Sequence, residues 1–355
     1  MSATELTEKH AIGTVRRGEY RGAETVAAYS ETRQEFAALR SGCGVFDLGW
    51  RAKIMLTGSD RVRWLNGMIT NNVRDLAPEH GLYAFLLNPQ GRILADLYAY
   101  NRGDYLLVDT DQSQKSKVLE IFDHYIIMDD VAVTDAGEKL SGVGVSGPKA
   151  RQVLQDAGII VPNLEPLQTA DLECQDVGLT VVRTENEITE MFEIWLGPAN
   201  VSRMWDALVK SGGTPVGFEA LELLRIASGT PRYEQDIRER DLPQETSQTR
   251  ALHFSKGCYV GQEIVERIHS RGNVHRKFTG FQVDGPLPAP GAKVHLEGKE
   301  VGEITSSAVL PMEKAELAVA LGYIRREAAQ PGKQFDVGNA KASERQLPFS
   351  EFLES

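Results

Sequence analysis

The densest run of chemistry-bearing residues is Lys256-Gly257-Cys258-Tyr259-Val260-Gly261-Gln262-Glu263, followed by IVERIHSRG. Ile264, Val265 and Ile268 fall on one side of a helix, so helical character is expected from Val260 to His269. Cys258 then sits at or just before a helix N-terminus. The positive end of the helix dipole and the charge of Lys256 would both favour the thiolate, the nucleophilic and metal-binding form of cysteine. Gly257 and Gly261 leave the backbone open around it, which argues for partial exposure. The competing reading is a small half-buried residue, because free cysteine commonly packs as a hydrophobe. Cys43 lies between two glycines and Cys174 in a strand-like run. Neither has a basic neighbour, and both read as structural.

Asp96 is the second candidate. It follows Ile93 and Leu94 on a strand returning from the turn Asn88-Pro89-Gln90-Gly91. An acid in an apolar hairpin can be buried with a raised pKa, suited to proton transfer or to holding an N–H group. Alternation puts Leu94 and Asp96 on one face, which leaves the solvent-facing alternative open. A third pattern, Gly142-Val-Gly144-Val-Ser-Gly147, spells GxGxxG, the cradle of dinucleotide phosphates, with Glu165 as a ribose acid. Its glycines lie inside a short β-like run, and Pro148 takes the first helical position. A plain strand–turn–helix is the better reading.

The elements that position these residues follow from local pattern. Thr32 and Glu35 are spaced for a capping box ahead of Phe36 and Leu39, with Gly42 to close the helix. Ser59 is placed to cap a second helix bearing Val62, Leu65 and Ile69. YAFLLNPQGRILADLYAY reads as two strands around a turn with Pro second and Gly last, and Asn101–Asp104 turns into YLLVD. A helix with Val118, Leu119, Phe122 and Ile126 follows, then a strand near 131–133. Pro148 starts a helix ending at Gly158. LTVVRT and MFEIWL read as strands, and 200–211 and 218–228 as helices. Residues 230–257 form a long polar irregular stretch, which in a compact domain is often functional. From 278 to 338 short β-like runs between Gly and Pro turns read as a small barrel. The pattern is α+β, not a doubly wound parallel sheet.

The chain has 355 residues, enough for two or three domains. With 39 Lys+Arg against 50 Asp+Glu the net charge is −11, which argues against direct binding of nucleic-acid backbones. No apolar run approaches the ~18 residues of a membrane helix, and the first residues lack the apolar core of a signal peptide. Three cysteines without short spacing argue against a disulfide framework or a four-cysteine metal site and point to a reducing cytoplasm. With no HExxH among the 7 histidines, no metal site is expected.

KGCYVGQE with Arg271-Gly272 behind it resembles the signature of the YgfZ family of folate-binding proteins, whose mitochondrial relatives assist maturation of iron–sulfur enzymes. The remainder is similar to the wider superfamily of the glycine-cleavage T-protein, an aminomethyltransferase. GCGVFDLG at 42–49, MITNNV at 68–73, LNPQGRILADL at 87–97, VSGPKA at 145–150 and LLRIASGTPRYEQDI at 223–237 carry that likeness. It runs from about residue 32 to 338.

The resemblance implies a three-lobed α+β body around a central channel, with the C-terminal barrel closing one side and tetrahydrofolate in the channel. Residues 1–275 would form the folate-binding region of two intertwined lobes, 276–338 the barrel and 339–355 a tail. Tyr83 lies where the T-protein has a folate-stacking aromatic. Asp96 aligns with the acid near the folate's reacting nitrogens, and Arg225 with an arginine of its RLEA segment. In the T-protein stretch RTGYTGEDGFE a glutamate holds the pterin ring. Here the stretch is RTENEITEMFE, Thr189 takes that place, and Glu190 stands beside it as the cofactor-binding acid. Arg92 and Ala95 replace a glycine and an acid of the hairpin.

The function implied is a folate-binding accessory factor for iron–sulfur enzymes, with Cys258 as its essential thiol and iron–sulfur proteins as partners. Any link to tRNA modification would run through such a client. The alternative is a tetrahydrofolate-dependent aminomethyl or one-carbon transferase using Asp96. A third reading is a binding module in which Cys258 is structural.

Overall fold

Local turn chemistry sets the hairpin that carries Asp96. In the computed structural model, which describes residues 3–10, 15–272, 274–313, 315–329 and 332–349, the strands His80–Leu87 and Ile93–Asn101 flank the turn at Asn88–Gly91. The Asn88 side chain accepts from the amides of Gln90 (3.0 Å) and Arg92 (2.9 Å), and Gly91 closes the turn with φ +72°. Asn supplies the side-chain acceptor, Pro the second dihedral and Gly the left-handed end.

Two compact units make up the chain. The first comprises residues up to Ala84 and Leu97–Leu221; the second comprises the hairpin tip Phe85–Asp96 and everything from Glu222. The first unit contains two main sheets. One has six strands, in the order Thr169–Cys174, Val177–Arg183, Met191–Leu196, Ser141–Ser146, Gly44–Asp47 and Thr214–Pro215, the last pair parallel. The other has five, in the order His80–Leu87, Ile93–Asn101, Leu106–Asp111, Arg51–Thr57 and Ala132–Asp135. Helix Pro198–Lys210 shows why such segments fold as they do. Proline takes the first turn, and Val201, Met204, Trp205 and Leu208 recur at helical spacing and are buried.

The GxGxxG residues lie where a plain strand needs them. Ser141–Ser146 is a central strand, and a Cβ on Gly144 would stand 2.0 Å from the Phe46 ring. Gly147 has φ +127° and lies against the Gly42 carbonyl. These glycines admit neighbouring side chain and backbone, and the VSGPKA turn follows directly.

Two expected caps do not form. Helix Thr32–Ser41 starts after Glu31, and Glu35 instead accepts from the amides of Tyr29 (2.7 Å), Ser30 (2.5 Å) and Gly217 (2.8 Å). Thr32 donates to Glu219. Helix Arg61–Met68 follows Asp60, and the Ser59 hydroxyl donates to Asp130 (2.8 Å). In both cases a tertiary partner outcompetes the local cap.

In the second unit, a closed barrel is built in the order Arg276–Asp284, Glu316–Arg325, Lys299–Pro311, Lys293–Leu296, Gln334–Val337 and Ala340–Arg345. Phe281, Val294, Ile304, Ala320, Ile324 and Phe335 fill it. The last strand corrects the expected tail at 339–355. Ala340–Arg345 pairs with two neighbours and closes the barrel, its small Ala340 and Ala342 facing inward. Residues 350–355 lie outside the described residues. The fold is α+β with a C-terminal barrel. No helix among the described residues is long and apolar enough to cross a membrane.

Candidate functional site

In the first unit a ladder of buried charge crosses the five-stranded sheet. Arg51 stands opposite Asp111 and Lys53 opposite Asp109 on paired strands. Arg51 Nε donates to Asp109 (3.0 Å), its Nη1 reaches Asp111, and Arg21 closes on Asp111 (3.1 Å). Lys53 Nζ lies 3.0 Å from Asp109 Oδ2 and 3.8 Å from Glu193 Oε2. Burial opposes ionisation of Asp109, but the Arg51 and Lys53 cations outweigh it and hold the carboxyl below its usual range.

Beside this ladder stands a wall of aromatic rings. Tyr83, the residue expected to stack on folate, is buried with its ring centroid 5.0 Å from Tyr98. Tyr98 continues to Tyr100, and Tyr100 meets Trp195 edge-on at 4.9 Å. Burial, then the Glu193 and Asp109 charges, push the Tyr100 phenol well above its ordinary pKa. Lys53 Nζ sits 4.2 Å over the Trp195 ring, and the Trp195 indole donates to Glu193 Oε2 at 2.7 Å.

Glu193 is a residue the sequence reading passed over. Glu190, named instead, is clamped by Arg151, whose Nε lies 2.9 and 3.0 Å from its two oxygens. The signal was strand alternation. Regular pairing starts at Met191, so Glu193 and Trp195 share a face opposite Gly144 and Gly142, and Glu190 falls just outside the strand.

In the second unit Asp96 is half-buried on its strand. Tyr233 lies close by, its hydroxyl donating to the Leu94 carbonyl. Burial first, then acids that include Glu239 and Asp96, raise the Tyr233 phenol. Arg225 is a buried tie between elements. It donates to Asp236 (2.7 Å), the Thr230 carbonyl (2.8 Å), Ser306 on a barrel strand (3.0 Å) and Glu222 (2.9 Å). Asp236 is fully buried and also accepts from Thr305 and Ser306. Asp241 accepts from Arg276 (2.7 Å) and from the Arg238 amide (2.8 Å). These acids order the polar stretch 230–257.

The Cys258 segment packs on the hairpin turn. Its helix is Gln262–Arg271, starting two residues later than expected, because Gly261 adopts φ +82° where it meets Asn88 and Gly91. Cys258 therefore stands three positions before the cap residue, beyond the first turn of the helix. Lys256 is buried with Nζ 5.0 Å over the Tyr259 ring. The Tyr259 ring is buried, Gly257 and Cys258 are exposed, and Glu263 is exposed on the first helical turn beside Gln262. Phe254 and His269 stack at 3.8 Å across the segment. Among the described residues no three His, Cys, Asp or Glu side chains are grouped to hold a metal ion.

Comparison with known proteins agrees with this architecture. Residues 6–256 match the family model of the GCVT N-terminal domain, and 276–348 that of the glycine cleavage T-protein C-terminal barrel domain. An aminomethyltransferase of Picosynechococcus sp. is 27% identical over 90% of this chain and 88% of its own. One of Rubrobacter xylanophilus is 29% identical over 91% and 87%. The crystal structure of the glycine cleavage system aminomethyltransferase T from Bartonella henselae has the same fold, with a TM-score of 0.89 at 22% identity over 99% of this chain and 98% of that one. Tetrahydrofolate is the one-carbon carrier of the aminomethyltransferases of this family. By a match covering most of its length, the chain belongs to the GCVT family, with the T-protein C-terminal barrel behind its N-terminal domain.

Proposed function

We propose that this protein binds a reduced folate and serves tetrahydrofolate-dependent transfer of an aminomethyl or other one-carbon unit. The observation that carries the reading is Asp96: a half-buried carboxylate on a hairpin strand near the buried Tyr233 phenol. Relatives named aminomethyltransferase, aligned over nearly nine-tenths of both chains, support it. The residues present suit a pteridine. Tyr83, Tyr98, Tyr100 and Trp195 offer aromatic surface, and Glu193 offers a fixed acceptor held by the Trp195 indole. Bound tetrahydrofolate would supply the amine nitrogens that carry the one-carbon unit. Asp96 would hold or release a proton at its Oδ atoms. Arg225 serves the frame in this reading, since its donors already reach four partners.

The deciding experiment is reconstitution with tetrahydrofolate and an aminomethylated lipoyl carrier protein, following methylenetetrahydrofolate. We expect turnover that falls by about a hundredfold or more in Asp96→Asn, the usual scale for a lost acid–base group. Absence of tetrahydrofolate binding would overturn the reading.

A second reading rests on Cys258. Its thiol is exposed between the buried side chains of Lys256 and Tyr259 in a segment resembling the YgfZ signature. This arrangement suits an accessory factor for iron–sulfur enzymes. Cys258→Ser would then keep folate binding and lose support of iron–sulfur enzyme activity in cells. Full support by the serine variant would remove this reading.

A further inference from the structure

Asp47 is a buried acid that forms no ion pair among the described residues. It is 6% exposed. Its Oδ2 accepts from the hydroxyls of Thr4 and Thr25, the latter at 3.0 Å, and its Oδ1 accepts from the Gly49 amide at 2.8 Å, which leaves Oδ1 able to accept again. Burial pushes this carboxyl above its usual range against those three donors, and the Glu5 charge adds to the push. Arg21 and Arg51 lie over the Trp50 ring but pair with Asp111 and Asp109. A buried carboxylate without a cation is costly. The acid lines a cavity. Thr25, Tyr29, Trp50 and Phe218 share its wall, and it has room for one water-sized occupant, about 10 Å³. Tyr29 brings a second deficit to the same cavity, a buried hydroxyl with no hydrogen-bond partner among the described residues.

We propose that this cavity is a site for one monovalent cation of potassium or ammonium size, held between the Asp47 carboxylate and the Tyr29 hydroxyl. Charge sets the valence. Asp47 is the single acid among the described residues of the wall, and one negative charge balances one positive one, whereas calcium and magnesium are taken by larger sets of oxygens. Size selects within the class. Potassium and ammonium are about as large as a water molecule and fill the space bare. Sodium and lithium hold their hydration water more firmly, and the cavity has no room for a second occupant. Trp50 and Phe218 complete the wall with aromatic rings, which attract a desolvated cation. The site does not rest on the folate reading.

The test compares melting temperatures at equal ionic strength in the chlorides of potassium, ammonium, sodium, lithium and tetramethylammonium, the last too large to enter. We expect potassium and ammonium to raise the melting temperature of the wild type by about 3 °C or more over tetramethylammonium, with a saturating dose response. Asp47→Asn should abolish the cation dependence. Tyr29→Phe should raise the half-saturating concentration by about tenfold, the scale of one hydrogen-bonding group lost to a charge. Circular dichroism confirms the fold of both variants. If Asp47→Asn does not fold, Tyr29→Phe decides together with anomalous scattering from wild-type crystals grown in rubidium chloride, where a rubidium peak beside Asp47 is expected and its absence counts against the site. Equal melting temperatures in all five salts would overturn the proposal, leaving the cavity to water and a proton on Asp47. A cation dependence that survives either substitution unchanged would overturn it as well.

Discussion

Gly261 lies directly against Gly91. A Cβ on Gly261 would stand 3.2 Å from Gly91 Cα and 2.6 Å from the Asn88 carbonyl oxygen, and both residues have positive φ. This contact seats the Cys258 segment on the turn of the Asp96 hairpin. Gly261→Ala should therefore be strongly destabilising: about 1–2 kcal/mol for the left-handed backbone and about 1–3 more for overpacking. Gly91→Ala should also be costly, because it combines φ +72° with a 2.8 Å approach to Ile264 Cβ, an atom fixed to the helix backbone. Gly257→Ala, with nothing within 4 Å, should stay within about 0.5 kcal/mol. Urea unfolding of the three variants checks the order; equal losses would show that this contact does not set the segment.

The three thiols should separate by accessibility. Cys258 is exposed, whereas Cys43 and Cys174 are buried and burial pushes the Cys43 thiol up to about 12. Native protein treated briefly with iodoacetamide should be modified at Cys258, and at the other two only in denaturant. Labelling of Cys43 at the rate of Cys258 in the native state would contradict the described packing.

Arg225 distinguishes a frame residue from a ligand contact. Arg225→Met strands the fully buried Asp236 and should cost about 3–5 kcal/mol. Arg225→Lys should recover little, because one ammonium cannot reproduce a guanidinium fork bonded to Asp236, Ser306 and Glu222. Chemical unfolding is the measure. Near-wild-type stability combined with lost tetrahydrofolate binding would make Arg225 a ligand contact instead.

Asp109 predicts an acid limb. Its folded carboxyl is held below the unfolded value of about 3.9, so its contribution is present above that pH and is lost as pH falls through the folded value. Asp109→Asn should be less stable than wild type at pH 7, and the gap should narrow below about pH 4. Unfolding in urea at several pH values between 7 and 3 would show it. A gap that stays constant would mean Asp109 does not titrate against Arg51 and Lys53.

By itself the sequence determined what depends on neighbours along the chain. The Asn88–Gly91 turn, the meander around it, the helix Pro198–Lys210 and most of the barrel follow from side-chain period and turn chemistry, which act over a few residues. The KGCYVGQE run could be named as a candidate from its residue types, and Asp96 from its hairpin together with the family resemblance. The tertiary structure decided everything that turns on partners distant in sequence. Thr32 and Ser59 satisfy remote groups and not their own helices. Ala340–Arg345 becomes a strand because the barrel offers it two edges. Glu193 faces the aromatic wall and Glu190 does not, because register against Gly144 chooses the face. Nothing in the local sequence marks Lys53. It is buried because pairing of the Arg51 and Leu106 strands sets Asp109 opposite it, and no local pattern encodes which strand lies alongside.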